Sequence, residues 1–320
     1  MIITKTPLRI SFAGGLTDIP KFYNTNDYGA VISTTINKYI YVFVNDKFDS
    51  NIRVAYKKYE DVNKVNNITH PIVRECLKEF KVYDSVEIGT IADIPGGTGL
   101  GSSSAFTVGL INALAKYTHQ KLNKQEIAEL ACKIEINNLK ENIGKQDQYA
   151  CSFGGLNYIT FTPNKVKVDK VYLPEYAINI LNNNLKLFYL GGRQKASNIL
   201  ENQIRQFKDK NKLLINIRDI SKHIQTLLEE EDIDSVGVAM NDAWELKKQM
   251  NGVTNLQIEN MYNNSISNGA LGGKVCGAGG SGFLLMYIPL VSCGAVVSKL
   301  NLKQIEFKLE EKGSEVIYDR

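Results

Sequence analysis

Residues 95–104 read Pro-Gly-Gly-Thr-Gly-Leu-Gly-Ser-Ser-Ser, and an apolar helical pattern starts at once with Ala105. A glycine-rich stretch feeding a helix N-terminus presents free backbone N–H groups and the positive end of the helix dipole, where phosphate binds. Gly96, Gly97, Gly99 and Gly101 let the backbone approach an anion closely and take positive φ. Ser102 is placed to cap the helix, and a neighbouring hydroxyl can reach a metal ion. A flexible turn before an ordinary helix is the plain alternative for such a corner taken alone. The loop is not a Walker A motif, because Ser102 stands where the lysine is required, so the β/γ-phosphate charge needs a cation from elsewhere. It is not a dinucleotide turn either, since Gly97-x-Gly99-x-Gly101 runs one residue short of that pattern. It is a phosphate loop of a third type.

Pro95-Gly-Gly-Thr-Gly99-Leu100-Gly101-Ser102-Ser103-Ser104 fits P-x-x-x-G-L-G-S-S-[AS] at every fixed position. In this the chain resembles the GHMP kinases, and two more segments extend the likeness. Thr6-Pro-Leu-Arg9-Ile-Ser-Phe-Ala-Gly14-Gly15-Leu16-Thr17-Asp18 resembles the family's first motif. Lys274-Val-Cys-Gly277-Ala-Gly279-Gly280-Ser-Gly282-Phe283 resembles its third, glycine-rich motif. Alone, Gly277-x-Gly279-x-x-Gly282 matches a dinucleotide fingerprint. The apolar run Phe283 to Ile288 follows where a helix should open, which argues against an NAD-binding module. Gly144-Lys145-Gln146-Asp147-Gln148-Tyr149, Phe153-Gly154-Gly155, and Leu187-Phe188-Tyr189 leading to Arg193-x-x-Ala196-Ser197 look like the sugar-1-kinase branch. Leu16 departs from that branch by replacing a third glycine. Gln194-Lys195 interrupts its Thr-Arg-Ser-like stretch. Both departures fall near the expected sugar pocket.

The resemblance implies an α+β, two-domain GHMP kinase fold: an S5-like N-terminal domain and a ferredoxin-like C-terminal domain, with the site between them. It implies ATP and Mg²⁺ as cofactors. The loop from Pro95 to Ser104 holds the ATP phosphates, and Ser103 and Glu135 hold Mg²⁺. Without the family match, Glu135 reads as a solvated helical glutamate. Asp147 is the expected base and Arg9 its partner. A carboxylate near two cations is expected to be ionised and oriented, although Gly-x-x-Asp alone also reads as a turn. Thr17 and Asp18, with Gly14, Gly15, Lys145, Gly279 and Gly280, are the sugar-side candidates. Asp18 reads equally well as a helix N-cap before Ile19-Pro20. Arg193 and Lys195 are candidates for a substrate phosphate, or plain surface cations. The implied reaction is phosphorylation of an anomeric hydroxyl, with a heptose 7-phosphate as expected acceptor. A neutral-sugar (fucokinase-like) 1-kinase is the alternative, and a catalytically silent sugar and nucleotide sensor is the weaker one.

Composition agrees. The chain has 320 residues with 43% hydrophobic and 22% charged residues, long enough for two domains in an ordinary globular protein. A net charge of +4 without any basic block gives no reason to expect nucleic acid. The longest apolar run, Phe283 to Val291, contains Pro289 and falls far short of a membrane span. No signal-peptide pattern opens the chain. The five cysteines are scattered without a C-x-x-C pair and read as reduced thiols of a cytoplasmic protein. Partners are thus a sugar or sugar phosphate and ATP, with no membrane, and monomer or homodimer left open.

The first half alternates strand and helix signals. Lys38 to Asn45 reads as a strand buried on both faces. Val86 to Ile91 leads into the phosphate loop, and the helix after it is apolar all round, hence buried. Asn123-x-x-Glu126 is a capping box that opens a second helix. The second half opens with a strand at Leu185 to Leu190, then becomes helix-rich up to Asn268, and ends in strands at Phe283–Ile288 and Glu315–Tyr318. The boundary is placed near 183, giving 1–183 and 184–320. Mixed, non-alternating elements argue for α+β.

Overall fold

The computed structural model describes residues 1–192 and 196–320. Two sheets carry the molecule. The first is built on a long antiparallel pair, β1 (Ile2–Ala13) and β2 (Gly29–Asp46). Ile, Val and Thr alternate through both, the composition that suits a pleated surface. Pro7 cannot donate to the ladder, and the register shifts between Pro7 and Leu8. β3 (Ile52–Ala55) and β4 (Tyr59–Val62) form a hairpin, and β3 runs parallel to β5 (Val86–Ala92). β5 pairs with the second half of β2, while β6 (Leu156–Phe161), followed by β7 (Val166–Lys170), pairs with its first half.

Helices α1 (Pro20–Tyr23), α2 (Pro71–Glu79), α3 (Ser102–Tyr117), α4 (Lys124–Cys132) and α5 (Gln146–Phe153) accompany this sheet, and α6 (Glu175–Asn184) leads from it into the second. The helix expected after the phosphate loop is α3, buried almost throughout and packed on β1 and β2. The capping box at Asn123 and Glu126 is formed in both directions, a stabilisation of about 1 kcal/mol.

Two local expectations are corrected. The 38–45 stretch is buried on one face only: Ile40, Val42 and Val44 are buried, while Tyr39, Tyr41 and Phe43 stay half exposed. Helix α3 covers the first face, and aromatic side chains on the other make an outer surface where the Lys5 ammonium sits over the Tyr39 ring. Ser102 is not the cap of α3. The N-cap is Gly101 with φ 76°, and Ser102 is already helical. A left-handed N-cap turns the chain so sharply that the loop's N–H groups, not a side chain, line the corner.

The second sheet begins at β8 (Leu185–Gly191). Helices α7 (Ala196–Arg205), α8 (Asn211–Glu229), α9 (Ile233–Lys247) and α10 (Leu256–Ser267) follow, then β9 (Gly272–Val275), β10 (Gly282–Tyr287), α11 (Leu290–Leu300) and β11 (Lys303–Ile305). The strands lie in the order β11-β8-β10-β9, all antiparallel, which is the ferredoxin-like arrangement. The chain then returns to the first sheet. β12 (Leu309–Glu310) pairs with β2 and β13 (Glu315–Asp319) with β1. The expected boundary at 183 falls in α6, just before the second sheet, but residues 309–319 belong to the first. Paired edges bury backbone groups that a free strand would expose. No helix among the described residues is long and apolar enough to cross a membrane.

Candidate active site

The two glycine-rich motifs meet backbone to backbone. A Cβ on Gly99 would fall 2.5 Å from the Cys276 carbonyl oxygen, and one on Gly277 would fall 2.7 Å from the Gly99 Cα. Only glycine allows this approach, and it seats the β9–β10 turn against the phosphate loop. Beside this junction is a cavity of about 280 Å³. Gly97, Gly99, Gly101, Ser102, Ser103 and Ser104 form its phosphate-loop wall. Leu100 turns its side chain into the core and accepts the Arg9 N–H on its carbonyl at 3.1 Å, which fixes the loop to β1.

Arg9 stands at the centre. Its Nε donates to Asp147 Oδ1 at 2.7 Å and its Nη2 to Oδ2 at 2.8 Å, while Nη1 donates to the Gly99 carbonyl at 2.7 Å. Arg9 is 4% exposed. Burial disfavours its charge, but the Asp147 carboxylate more than offsets this and holds the guanidinium above its usual range. A bidentate pair of this kind fixes geometry as well as charge.

Glu135 lies on the other side of the loop. Helix α4 continues as a π-helical turn, Lys133–Asn138, and this turn carries the residue. Such bulges rotate one side chain out of the regular helical face. Glu135 is 1% exposed, accepts Ser103 Oγ–H at 3.1 Å and receives the Gln148 amide at 2.6 Å. Burial pushes its carboxyl up to about 7, against hydrogen bonds from Gln148, Ser104, Ser103 and Thr107. A buried carboxylate that pairs with no cation among the described residues, next to a hydroxyl that faces the cavity, has the donor set that suits Mg²⁺.

Asp18 is 2% exposed and lines the same cavity. It is not a helix cap, because α1 is capped by Ile19 without a side-chain bond. Its carboxylate instead accepts the Gln146 N–H at 3.1 Å and rests against Gly144, where a Cβ would lie 1.8 Å from Oδ2. Burial raises its pKa.

Other expected residues lie elsewhere. Thr17 is fully buried, its hydroxyl spent on the carbonyls of Gly14 and Ala30 at 2.7 and 2.9 Å. Gly14 is pressed on Ala30 and holds the turn, whereas Gly15 does line the cavity. Lys145 points to a neighbouring depression, its ammonium 5.5 Å from the Tyr23 ring centre. Gly279 and Gly280 pack on Val253, and Pro95 and Gly96 stay outside the cavity lining. Arg193 and Lys195 lie outside the described residues.

Among the lining residues that had not been assigned a role are the polar Ser11, Glu141, Gln146, Lys247 and Lys274. Lys274 and Gln146 were inside quoted motifs but unmarked. Lys247 had a signal, since a lysine at helical spacing from Met240, Ala243 and Trp244 stands on the buried stripe of α9.

A family model for the GHMP kinases N terminal domain matches residues 66–155, and one for the GHMP kinases C terminal matches 224–287. The chain is 32% identical over 303 residues to a D-glycero-alpha-D-manno-heptose 7-phosphate kinase of Campylobacter jejuni, covering 90% of this chain and 89% of that protein. It is 26% identical over 193 residues to a galactokinase of Thermotoga petrophila, covering 57% and 53%. Among solved structures, a D-glycero-D-manno-heptose 1-phosphate kinase from Bacteriodes thetaiotaomicron superposes with a TM-score of 0.84 at 23% identity over the whole of both chains. A putative sugar kinase from Campylobacter jejuni gives a TM-score of 0.75 at 26% identity over 98% of this chain and 97% of that one.

Proposed function

From a chain that belongs to the GHMP kinase family, and is therefore an ATP-dependent phosphotransferase, we propose a kinase that phosphorylates the anomeric hydroxyl of D-glycero-D-manno-heptose 7-phosphate. The product is the 1,7-bisphosphate, a precursor for nucleotide-activated heptose in surface polysaccharide. The relative at 32% identity supports the acceptor. The observation that carries the chemistry is the Arg9–Asp147 pair, clamped to the loop through Gly99 and sharing one cavity with Asp18.

Phosphoryl transfer asks chiefly for positioning and charge neutralisation. In this reading the loop's backbone N–H groups hold the β- and γ-phosphates. Ser103 and Glu135 would hold Mg²⁺, which would supply charge to offset that of the phosphates. Asp18 and Gln146 orient the sugar hydroxyls. The anomeric oxygen attacks the γ-phosphorus, the bond from γ-phosphorus to the β–γ bridging oxygen breaks, and ADP departs. Each Asp147 oxygen accepts one N–H from Arg9 and keeps a lone pair for the hydroxyl proton. Arg9 faces the charge that builds on the transferring group.

A coupled ADP-release assay across heptose 7-phosphate, free heptose, fucose, galactose and mevalonate tests this. Turnover confined to the heptose 7-phosphate is the expected result. Equal turnover of a neutral sugar replaces the acceptor, and no turnover of any member with ATP bound favours a silent sensor.

A further inference from the structure

Lys247 ends α9 and Lys274 lies in β9, two elements that pack on each other. Both lysines are 5% exposed, and both line the cavity. Lys274 Nζ donates to Ser11 Oγ at 2.9 Å, and Lys247 Nζ donates to the Gly277 carbonyl at 2.8 Å. An ammonium has three N–H donors, so among the described residues each lysine keeps donors unspent. Among the described residues neither has a carboxylate within ion-pairing distance. Two buried like charges that make no ion pair among the described residues, and are eased only in part by the Asp18 carboxylate of the same cavity, are unfavourable for folding alone. Burial pushes Lys247 down to about 8 and takes Lys274 well below the ordinary lysine range, and Lys247 adds its repulsion to the latter.

The placement says which anion they meet. Along the chain the cavity wall runs from Arg9 through Ser11 and Gly15 to Asp18. Arg9 is bound to the phosphate loop and marks the transfer point. Ser11 stands one pleat repeat further on, toward Asp18, and holds Lys274 there. Lys247 reaches from the Gly277 carbonyl, beside the phosphate loop, to a small gap that both lysines border with Gly14 and Gly15 on the same stretch. The loop's own N–H groups serve the nucleotide. The lysines thus bring two amine heads beside the acceptor's position, and a phosphate monoester dianion placed there would favour the protonated form of both.

We propose that Lys247 and Lys274 form the subsite that binds the acceptor's own phosphate, so that the cavity selects a sugar phosphate over a free sugar. This rests on the sugar-kinase reading above. The nucleotide's terminal phosphate is the other source of the same dianion, and the test separates the two.

Calorimetric titrations of wild type, Lys247→Met and Lys274→Met would use heptose 7-phosphate, free heptose and a non-hydrolysable ATP analogue. Methionine keeps the stem and removes the charge, so melting temperatures at or above wild type are expected. The expected loss is roughly ten- to a hundredfold in affinity for heptose 7-phosphate per variant, the usual effect of a lost charged hydrogen bond. Affinities for free heptose and the ATP analogue should stay within about twofold. A loss falling on the ATP analogue, equal losses on both sugars, or a marked fall in melting temperature overturns the proposal. Inorganic phosphate, added with the ATP analogue saturating, gives a readout that needs no sugar. It should raise the melting temperature of wild type and not of the variants. No rise in wild type overturns the subsite. A lysine-dependent rise, with heptose 7-phosphate itself unbound, leaves the anion subsite standing and removes the heptose reading instead.

Discussion

Arg9 and Asp147 are far apart in sequence, yet two hydrogen bonds below 3 Å lock them into one unit. The unit sets the two sharpest expectations at the residue scale. Asp147→Asn keeps the shape but removes the acceptor for the hydroxyl proton. Turnover should fall about 10²–10⁴-fold, the range for a positioned acid–base group, with the Kd for ATP nearly unchanged. Single-turnover kinetics within a few-fold of wild type would take Asp147 out of the chemistry. The second concerns Gly144, whose missing Cβ is what lets the Asp18 carboxylate reach the Gln146 N–H. Gly144→Ala should displace Asp18 and raise the KM for the sugar at least tenfold, while ATP binding is spared, as parallel titrations of KM for each substrate would show. Leu16 is a residue-scale departure that the structure gives a shape. It takes φ 81° in a buried turn where related sugar kinases are expected to have glycine. Left-handed backbone costs a non-glycine residue about 1–2 kcal/mol, which its burial beside the cavity offsets.

At the scale of elements, what was legible in the sequence is what local chemistry dictates. The glycine loop feeding α3 was readable because glycines followed by an apolar helical pattern leave few alternatives. The α4 cap was readable because Asn123 and Glu126 satisfy each other's backbone partners. The third motif was correctly read as a turn before a strand, since Phe283 begins the buried run of β10. Thr17, Lys145 and Gly280 fall outside the cavity lining, because motif spacing fixes chain position, not side-chain direction. The π-helical turn left no local mark, yet it is what aims Glu135 at Ser103. That geometry has a pH consequence. The Glu135 carboxyl titrates near 4.5 when unfolded and at about 7 when folded. Its folded pKa is raised, so its contribution to stability is fully present below pH 4.5 and is lost as pH rises through 7. The loss approaches about 3 kcal/mol in the metal-free protein. Chemical denaturation between pH 5 and 8 should show this slope in wild type and not in Glu135→Gln. Mg²⁺ with a nucleotide should stabilise wild type more at pH 8 than at pH 6. A variant that keeps the full slope would place the titration elsewhere.

At the scale of the molecule, the chain's end ties the catalytic wall to the first sheet. β12 and β13 pair with β2 and β1, and the turn between them sits against the back of α5, the helix that carries Asp147. Ser314 is the pin. Its N–H reaches the Cys151 carbonyl at 3.0 Å, and its hydroxyl lies 2.8 Å from Thr6 Oγ1 and 3.1 Å from the Asn112 amide. The second sheet contains none of these residues, so it stays complete without them. Deleting residues 308–320 should therefore act on the first sheet and on Asp147, not on the lysine-bearing wall formed by α9 and β9. We expect a fall in melting temperature on the order of 10 °C, from several kcal/mol of lost pairing in a chain of this size, and a fall in kcat larger than the change in acceptor Kd. Ser314→Ala is the graded form of the same test. It leaves the Thr6 hydroxyl without its partner, which costs about 1–3 kcal/mol, while Asn112 keeps the Ser314 carbonyl at 3.2 Å. It should lower kcat only as far as α5 shifts. Scanning calorimetry and kcat on both variants decide it. Equal losses in kcat and in acceptor binding would mean that the tail supports the whole cavity and not the Asp147 side of it.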